Sequence, residues 1–375
     1  MAQFLKTVFY LLLLLLSITL LSCQSKTEQQ QNDTPKNIIM LVGDGMSFPQ
    51  ITATEYIHGQ LNMTSMPVHG IVTTYASDNR VTDSASSATA FAAGYKTDNG
   101  MLGQLPDGTP VQSIASYASE IGKSTGLLAT CRITHATPAA FAVHHHNRRD
   151  EFIIAEQFVD SGIDLILGAG WNYFLPESEG GERPDDRNLI NEMQDLGYHY
   201  INDENNIGEI TEHEKSIAFL EGQDLDVYPD RGDQAMQLTT AALERLSQNP
   251  EGFFIMIEGS QIDWAGHANE FEWMLQEMID FDNIVGKVLE FAENDGNTLV
   301  VVTADHETGG LTLPGGGEDA EHGFRYEFST GGHTALHVPV FSYGPSSEMF
   351  EGKYDNTDIA RKLFSIWGHD IVDLE

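Results

Sequence analysis

The chain has 375 residues, 41% hydrophobic and 20% charged, with 56 acidic residues against 19 basic ones and a formal net charge of −37. So acidic a surface excludes nucleic acid and anionic lipid surfaces as natural partners, because both repel it. It also opposes a phosphate substrate, unless some of the carboxylates hold divalent ions that then dominate the local field.

The chain opens with a lone Lys6, Val8-Phe9-Tyr10, an apolar run from Leu11 to Leu16, and Leu20-Leu21-Ser22-Cys23. A short apolar stretch closed by a small residue predicts a secretory signal peptide over residues 1–22 rather than a membrane span. Leu20 to Cys23 also resembles the bacterial lipobox, which makes Cys23 a candidate lipid anchor; ordinary cleavage after a small residue is the plainer alternative. The protein is therefore expected to be exported, either periplasmic or a membrane-anchored lipoprotein. Residues 23–35 are polar and rich in Gln and Asn, and read as a disordered tether. A single catalytic domain is expected over residues 36–375. With Cys23 lipidated, Cys131 has no partner and no disulfide is expected.

Short apolar runs recur along this domain: Asn37–Val42, Thr125–Ala129, Leu165–Leu167, Phe253–Ile257, Leu299–Val302 and Val338–Tyr343. Uninterrupted runs of this length suit strands buried on both faces, as in a parallel sheet. Helical patterns lie between them at Val111–Ile121, Glu151–Val159, Gln234–Leu246 and Phe271–Phe291. In the last of these, Phe271, Met274, Met278, Phe281, Val285, Val288 and Phe291 form an amphipathic stripe, read as core. The alternation predicts an α/β fold, doubly wound, with a mostly parallel central sheet flanked by helices. Residues 170–230, rich in Glu, Asp, Asn and Gly, read as a surface insertion.

In such sheets ligands bind beyond the carboxyl ends of the strands. Asp44, Glu258 and the pair Asp305-His306 stand there, after three separate strands. Asp263 and His267 are spaced i, i+4, on one face of a helix, and can grip one zinc ion. His333 sits in the Gly-rich run Gly331-Gly332-His333, although the chain has 14 His and proximity alone proves little. Ser84 lies at the head of a small-residue helix, where backbone N–H groups favour an anion. No Gly-x-Ser-x-Gly elbow surrounds it, so metal coordination is one way to activate it.

These residues carry a resemblance. Asp44, Val81-Thr82-Asp83-Ser84 with Ser87 to Ala90, Thr137-Pro138-Ala139-Ala140, Arg148, Glu258-Gly259 with Asp263 and His267, Thr303 to His306, and His333-Thr334 are similar to the motifs of the bacterial alkaline phosphatases, in family order from residue 37 to about 345. The resemblance implies hydrolysis of phosphate monoesters to inorganic phosphate through a phosphoserine, at an alkaline pH optimum. It implies two Zn2+ and one Mg2+. One zinc would be held by Asp263, His267 and His333, and the second by Asp44, Asp305, His306 and the Ser84 oxygen. Magnesium would take Asp44, Thr137 and Glu258. Arg148 matches the phosphate-binding arginine, with Arg149 as its decoy, and Asp83 orients it. A homodimer is common in the family. Two positions depart from the best-known bacterial pattern. His135 stands near the magnesium where some members have Asp, which makes that site softer, and Trp264 follows Asp263 where they carry Lys. Both changes imply weaker product binding and faster turnover. The rival readings are a phosphodiesterase or sulfatase of the same superfamily, and a lipid-anchored metal- or phosphate-binding protein without turnover. The sulfatase Cys-x-Pro-Ser-Arg run is absent, and Ser84 with Arg148 favours monoesters.

Overall fold

A computed structural model of the protein describes Met1 and residues 34–317, 320 and 322–372. Apart from Met1, the expected signal peptide lies outside the described residues, as do Cys23 and the tether as far as residue 33.

The strands in chain order are β1 (Asn37–Gly43), β2 (Val68–Thr73), β3 (Ser124–Arg132), β4 (Leu165–Ala169) and β5 (His199–Ile201). They continue as β6 (Ser216–Phe219), β7 (Phe253–Gly259), β8 (Thr298–Thr303), β9 (Glu307–Thr308) and β10 (Leu311–Gly316). The last are β11 (Phe324–Phe328), β12 (His333–Thr334), β13 (Val338–Tyr343) and β14 (Gly352–Asp355). Ten of them form one sheet in the order β14-β2-β13-β8-β1-β7-β3-β4-β6-β5. Only β13 runs antiparallel to its neighbours in that sheet. Every residue of β1, β7 and β8 is buried, as an uninterrupted apolar run between two helical layers requires.

The central registers set the site. Val42 of β1 lies opposite both Glu258 of β7 and Thr303 of β8, and Glu258 lies opposite Ala129 of β3. β1, β7 and β8 therefore end at one level, β3 runs three residues beyond it, and the residues that follow these strands converge on one edge.

The helices Glu151–Val159 and Gln234–Leu246 match the periodic reading. The expected helix at Val111–Ile121 begins only at Ile114, because Ser113 caps it by accepting the Ser116 N–H at 3.1 Å. Val111 instead donates its backbone N–H to Gly103. The stripe helix runs on to Asp295 and ends at Gly296, whose φ of 71° supplies the left-handed cap. Its stripe residues from Phe271 to Val288 are buried, and Phe291 is half-buried. A Cβ at Gly259 would come within 2.6 Å of the Phe281 ring, so glycine lets this helix lie close over the end of β7. Residues 170–230 occupy one flank and also add β5 and β6 to the sheet edge. These strands have only three and four residues, too short for the apolar pattern to reveal.

Candidate metal centre and active site

Asp44 follows β1, Glu258 is the last residue but one of β7, and Asp305 and His306 follow β8. Beyond β3 come His135 and Thr137, at the start of the short helix Ala136–Ala139. Ser84 begins the helix Ser84–Ala93, all of whose residues are buried. Small side chains let that helix sit low over the sheet edge, where the Ser87 hydroxyl donates to the Asp305 carbonyl at 2.7 Å.

A first group joins Asp44, Asp305, His306 and Ser84. His306 Nε2 lies 2.9 Å from Asp305 Oδ2 and 3.6 Å from Asp44 Oδ1. Ser84 Oγ is 3.3 Å from the same nitrogen. Asp305 Oδ1 accepts the Gly45 and His306 N–H groups, which fixes the carboxylate plane. Gly45 has a φ of 79°, and a Cβ there would strike the Asp263 backbone at 2.6 Å.

A second group joins Asp263 and His267, on the helix Gln261–Ala268, with His333 of β12. His267 Nε2 lies 3.3 Å from Asp263 Oδ2 and 3.1 Å from His333 Nε2. Carbonyl oxygens hold both outer nitrogens, Gly331 on His267 Nδ1 at 2.7 Å and Thr82 on His333 Nδ1 at 2.9 Å. Each Nδ1 therefore keeps its hydrogen for a carbonyl, which aims Nε2 of both rings inward. The His306 and His333 rings stack with centroids 3.5 Å apart, so the two groups adjoin.

A third group lies beneath. Cys131, His135 and Glu258 each offer one donor atom, all within 4.8 Å of one another. At the rim, Arg148 donates to Asp83 Oδ2 at 3.1 Å and meets His135 Nε2 at 3.0 Å. Arginine cannot accept, so the His135 nitrogen does. Asp83 also caps the Ser84 helix through the Ser86 N–H and takes the Gly100 N–H. Arg149 is exposed.

The electrostatics follow from crowding. Burial, then Asp305, Asp263 and Glu258, raise the Asp44 carboxyl well above its ordinary value. Burial pushes Glu258 to about 7. Burial would raise Asp263 and Asp305 too, yet the histidines beside them hold both down, Asp305 at about 2. Asp263 lifts His267 to about 9, whereas burial and the charge of His306 lower His333 to about 4. Burial with Arg148 keeps His135 neutral, well below its usual value. Arg148 and the N–H groups of Ser86 and Gly100 outweigh burial at Asp83 and keep it ionised.

Both carboxylate oxygens of Asp44, Glu258 Oε1, Thr137 Oγ1 and His135 Nδ1 are buried with no hydrogen-bond partner. Leaving such groups unpaired is costly, and their convergence with imidazoles fits divalent cations. The sequence-predicted residues Asp44, Ser84, Asp305 and His306 thus meet in one group, Asp263, His267 and His333 in the next, and His135, Thr137 and Glu258 beneath them. Sequence reasoning missed three contributors. Cys131 was set aside as a thiol without a partner, although its place four residues before His135 was a usable signal. Thr308, whose hydroxyl donates to Asp263 and lies 3.2 Å from His306 Nδ1, had none. Nor had Gly100, a loop glycine.

Comparison with known proteins gives the family. The alkaline phosphatase family model matches residues 35–322. Alkaline phosphatase 3 of Bacillus subtilis is 33% identical, over 93% of this chain and 92% of its own length. The structure of alkaline phosphatase from the Antarctic bacterium TAB5 superposes with a TM-score of 0.84 at 40% identity, covering 89% of this chain and 98% of that one. A histidine-to-aspartate mutant of that enzyme, with magnesium bound in its M3 site, superposes with a TM-score of 0.82. The chain belongs to the alkaline phosphatase family of phosphomonoester hydrolases.

Proposed function

We propose that this enzyme hydrolyses phosphate monoesters by two successive displacements through a phosphoserine at Ser84. The observation that carries this reading is the placement of Ser84 Oγ, buried at a helix N-terminus and 3.3 Å from His306 Nε2, in one group with the Asp44 carboxylate, both of whose oxygens lack a hydrogen-bond partner. Alkaline phosphatases use zinc and magnesium, and the three groups supply the corresponding ligands. One zinc falls to Asp263, His267 and His333, and another to Asp44, Asp305, His306 and Ser84. Asp44, Thr137 and Glu258, with His135 beside them, take the third ion. When bound, these ions lower the pKa of coordinated hydroxyl groups and neutralise charge on phosphoryl oxygens.

The rest falls to the chain. Ser84 Oγ gives its proton to solvent and bonds to phosphorus, while the ester oxygen leaves with the bonding pair and takes up a proton. Water then attacks the phosphoserine, releases phosphate and restores the hydroxyl. Arg148 spends one N–H on Asp83 and one on His135, which fixes the guanidinium plane and leaves donors for two phosphoryl oxygens. Asp83 is a positioning residue; its oxygens are filled by Arg148, Ser86 and Gly100 and do not act as a base. Rapid quenching during turnover of a labelled monoester is expected to place the label on Ser84. Label on any other residue would overturn the reading.

Trp264 meets the His135 ring edge-on with centroids 6.1 Å apart and brings no charge to the rim. Trp264→Lys adds a cation there. It is expected to tighten inhibition by inorganic phosphate about tenfold, the effect of one charge-assisted contact, and to slow kcat. Unchanged inhibition and kcat would count against a role for this position in product release.

We further propose that the protein is exported, either periplasmic or held at the membrane through a lipid on Cys23. Cys23→Ala is expected to move the activity from the membrane pellet to the soluble fraction; an unchanged partition would sink the anchor.

A further inference from the structure

Cys131 lies wholly buried near the end of β3, two positions beyond Ala129, which is in register with Glu258. With a side-chain period of two it shares the face of Glu258. The pairing of β3 with β4 shifts register between Leu128 and Arg132, an irregularity of the kind that re-aims side chains beside active sites. The result is a thiol placed between two acceptors, the Arg132 carbonyl at 3.4 Å and Glu258 Oε2 of the third group at 3.6 Å. Around it stand Glu258 Oε1, Thr137 Oγ1 and His135 Nδ1, buried and without hydrogen-bond partners. Cys131, His135 and Glu258 each bring one donor atom within 4.8 Å of the others, and unpaired polar atoms buried in that group are not explained by packing alone.

We propose that Cys131 supplies a sulfur ligand to the third ion, and that this position therefore selects thiophilic divalent cations, zinc, cobalt or cadmium, over magnesium. The inference rests on the three-ion reading given above. Magnesium demands near-octahedral oxygen and keeps several waters, whereas sulfur, imidazole and carboxylate together form a donor set typical of zinc. Binding replaces the S–H bond by a metal–sulfur bond and releases one proton to solvent. For His135 to join through Nδ1, its ring hydrogen passes to Nε2. That breaks the contact with Arg148 and returns the guanidinium N–H to the substrate side.

The test uses the intact protein stripped of metal and reloaded with cobalt alone, then with zinc and magnesium in competition. The readouts are metal content per chain and the near-ultraviolet sulfur-to-cobalt charge-transfer band. The wild type is expected to take up a third equivalent of cobalt with that band. Cys131→Ser should lose the band and shift the third equivalent toward magnesium by about 10- to 100-fold. Cys131→Ala is run beside it, so that a folding defect in one variant does not end the test. A third equivalent without the band, and with the same zinc-to-magnesium ratio in both variants, would overturn the sulfur ligand alone. Uptake that stops at two equivalents in the wild type would overturn the three-ion reading beneath it.

Discussion

Ser84→Ala is expected to lower kcat for a chromogenic phosphate monoester by roughly 10³-fold or more and to abolish the phosphoenzyme. The expectation follows from what surrounds the hydroxyl. Its nearest nitrogen, His306 Nε2, is also 2.9 Å from Asp305 Oδ2. That nitrogen is taken up by Asp305 and faces Asp44 Oδ1 at 3.6 Å, and as an expected metal ligand it is not free to accept the serine proton. Asp83, one residue away in sequence, is filled by Arg148 and two backbone N–H groups. No side chain here substitutes for the serine oxygen as nucleophile, and none is placed to recruit water in its stead. The variant keeps Arg148 and its supports, so inorganic phosphate should still bind, which separates loss of chemistry from loss of the site. Labelled phosphate trapped covalently on the alanine variant would reverse the assignment.

How much of this was legible beforehand depended on burial. β1, β7 and β8 stood out because a strand covered on both faces needs an unbroken apolar run, and the residue after such a run is pinned at the sheet edge. That logic located Asp44, Glu258, Asp305 and His306. Edge elements obey other rules. β2 exposes alternate residues, β5 and β6 are three and four residues long, and the hairpin of β10 and β11 is mostly exposed, so none carries a run. The contacts that tune the site were less visible still. Thr82 and Gly331 act through carbonyl oxygens and Gly100 through its N–H, and a backbone group leaves no residue-type signal. Cys131 was overlooked for a different reason. Counting cysteines asks whether sulfur pairs with sulfur, while the structure sets this one against a carboxylate.

Stripping the metal ions should leave a protein that loses stability as pH rises from about 6.5 to about 9, while the loaded enzyme does not. In the stripped form His267 binds its proton more tightly folded than unfolded, with a pKa raised from 6.5 to about 9 by Asp263. Its stabilising share is complete below pH 6.5 and disappears as pH climbs through 9. The ring is 40% exposed, so after discounting for solvent screening this share is about 1–2 kcal/mol. Asp44, raised by burial and neighbouring carboxylates, acts in the same direction, because its folded form resists ionising while the unfolded chain ionises freely. Glu258, at about 7, adds the end of its own loss. The opposing groups of the site are spent before this window opens, and Lys362, lowered by burial to about 8, opposes the trend equally in the stripped and loaded forms. His333, lowered to about 4, and His135, also lowered, gain their stability between their folded values and 6.5, and Asp263 and Asp305 gain theirs below about 4. Metal binding reverses the slope, since ligands must be deprotonated to coordinate and alkaline pH therefore favours the loaded state. The gap in Tm between loaded and stripped protein should widen by a few degrees or more between pH 6.5 and 9. Thermal unfolding of both forms across that range checks it; a stripped protein as stable at pH 9 as at 6.5 would mean that the buried carboxylates and imidazoles are not coupled as their geometry requires.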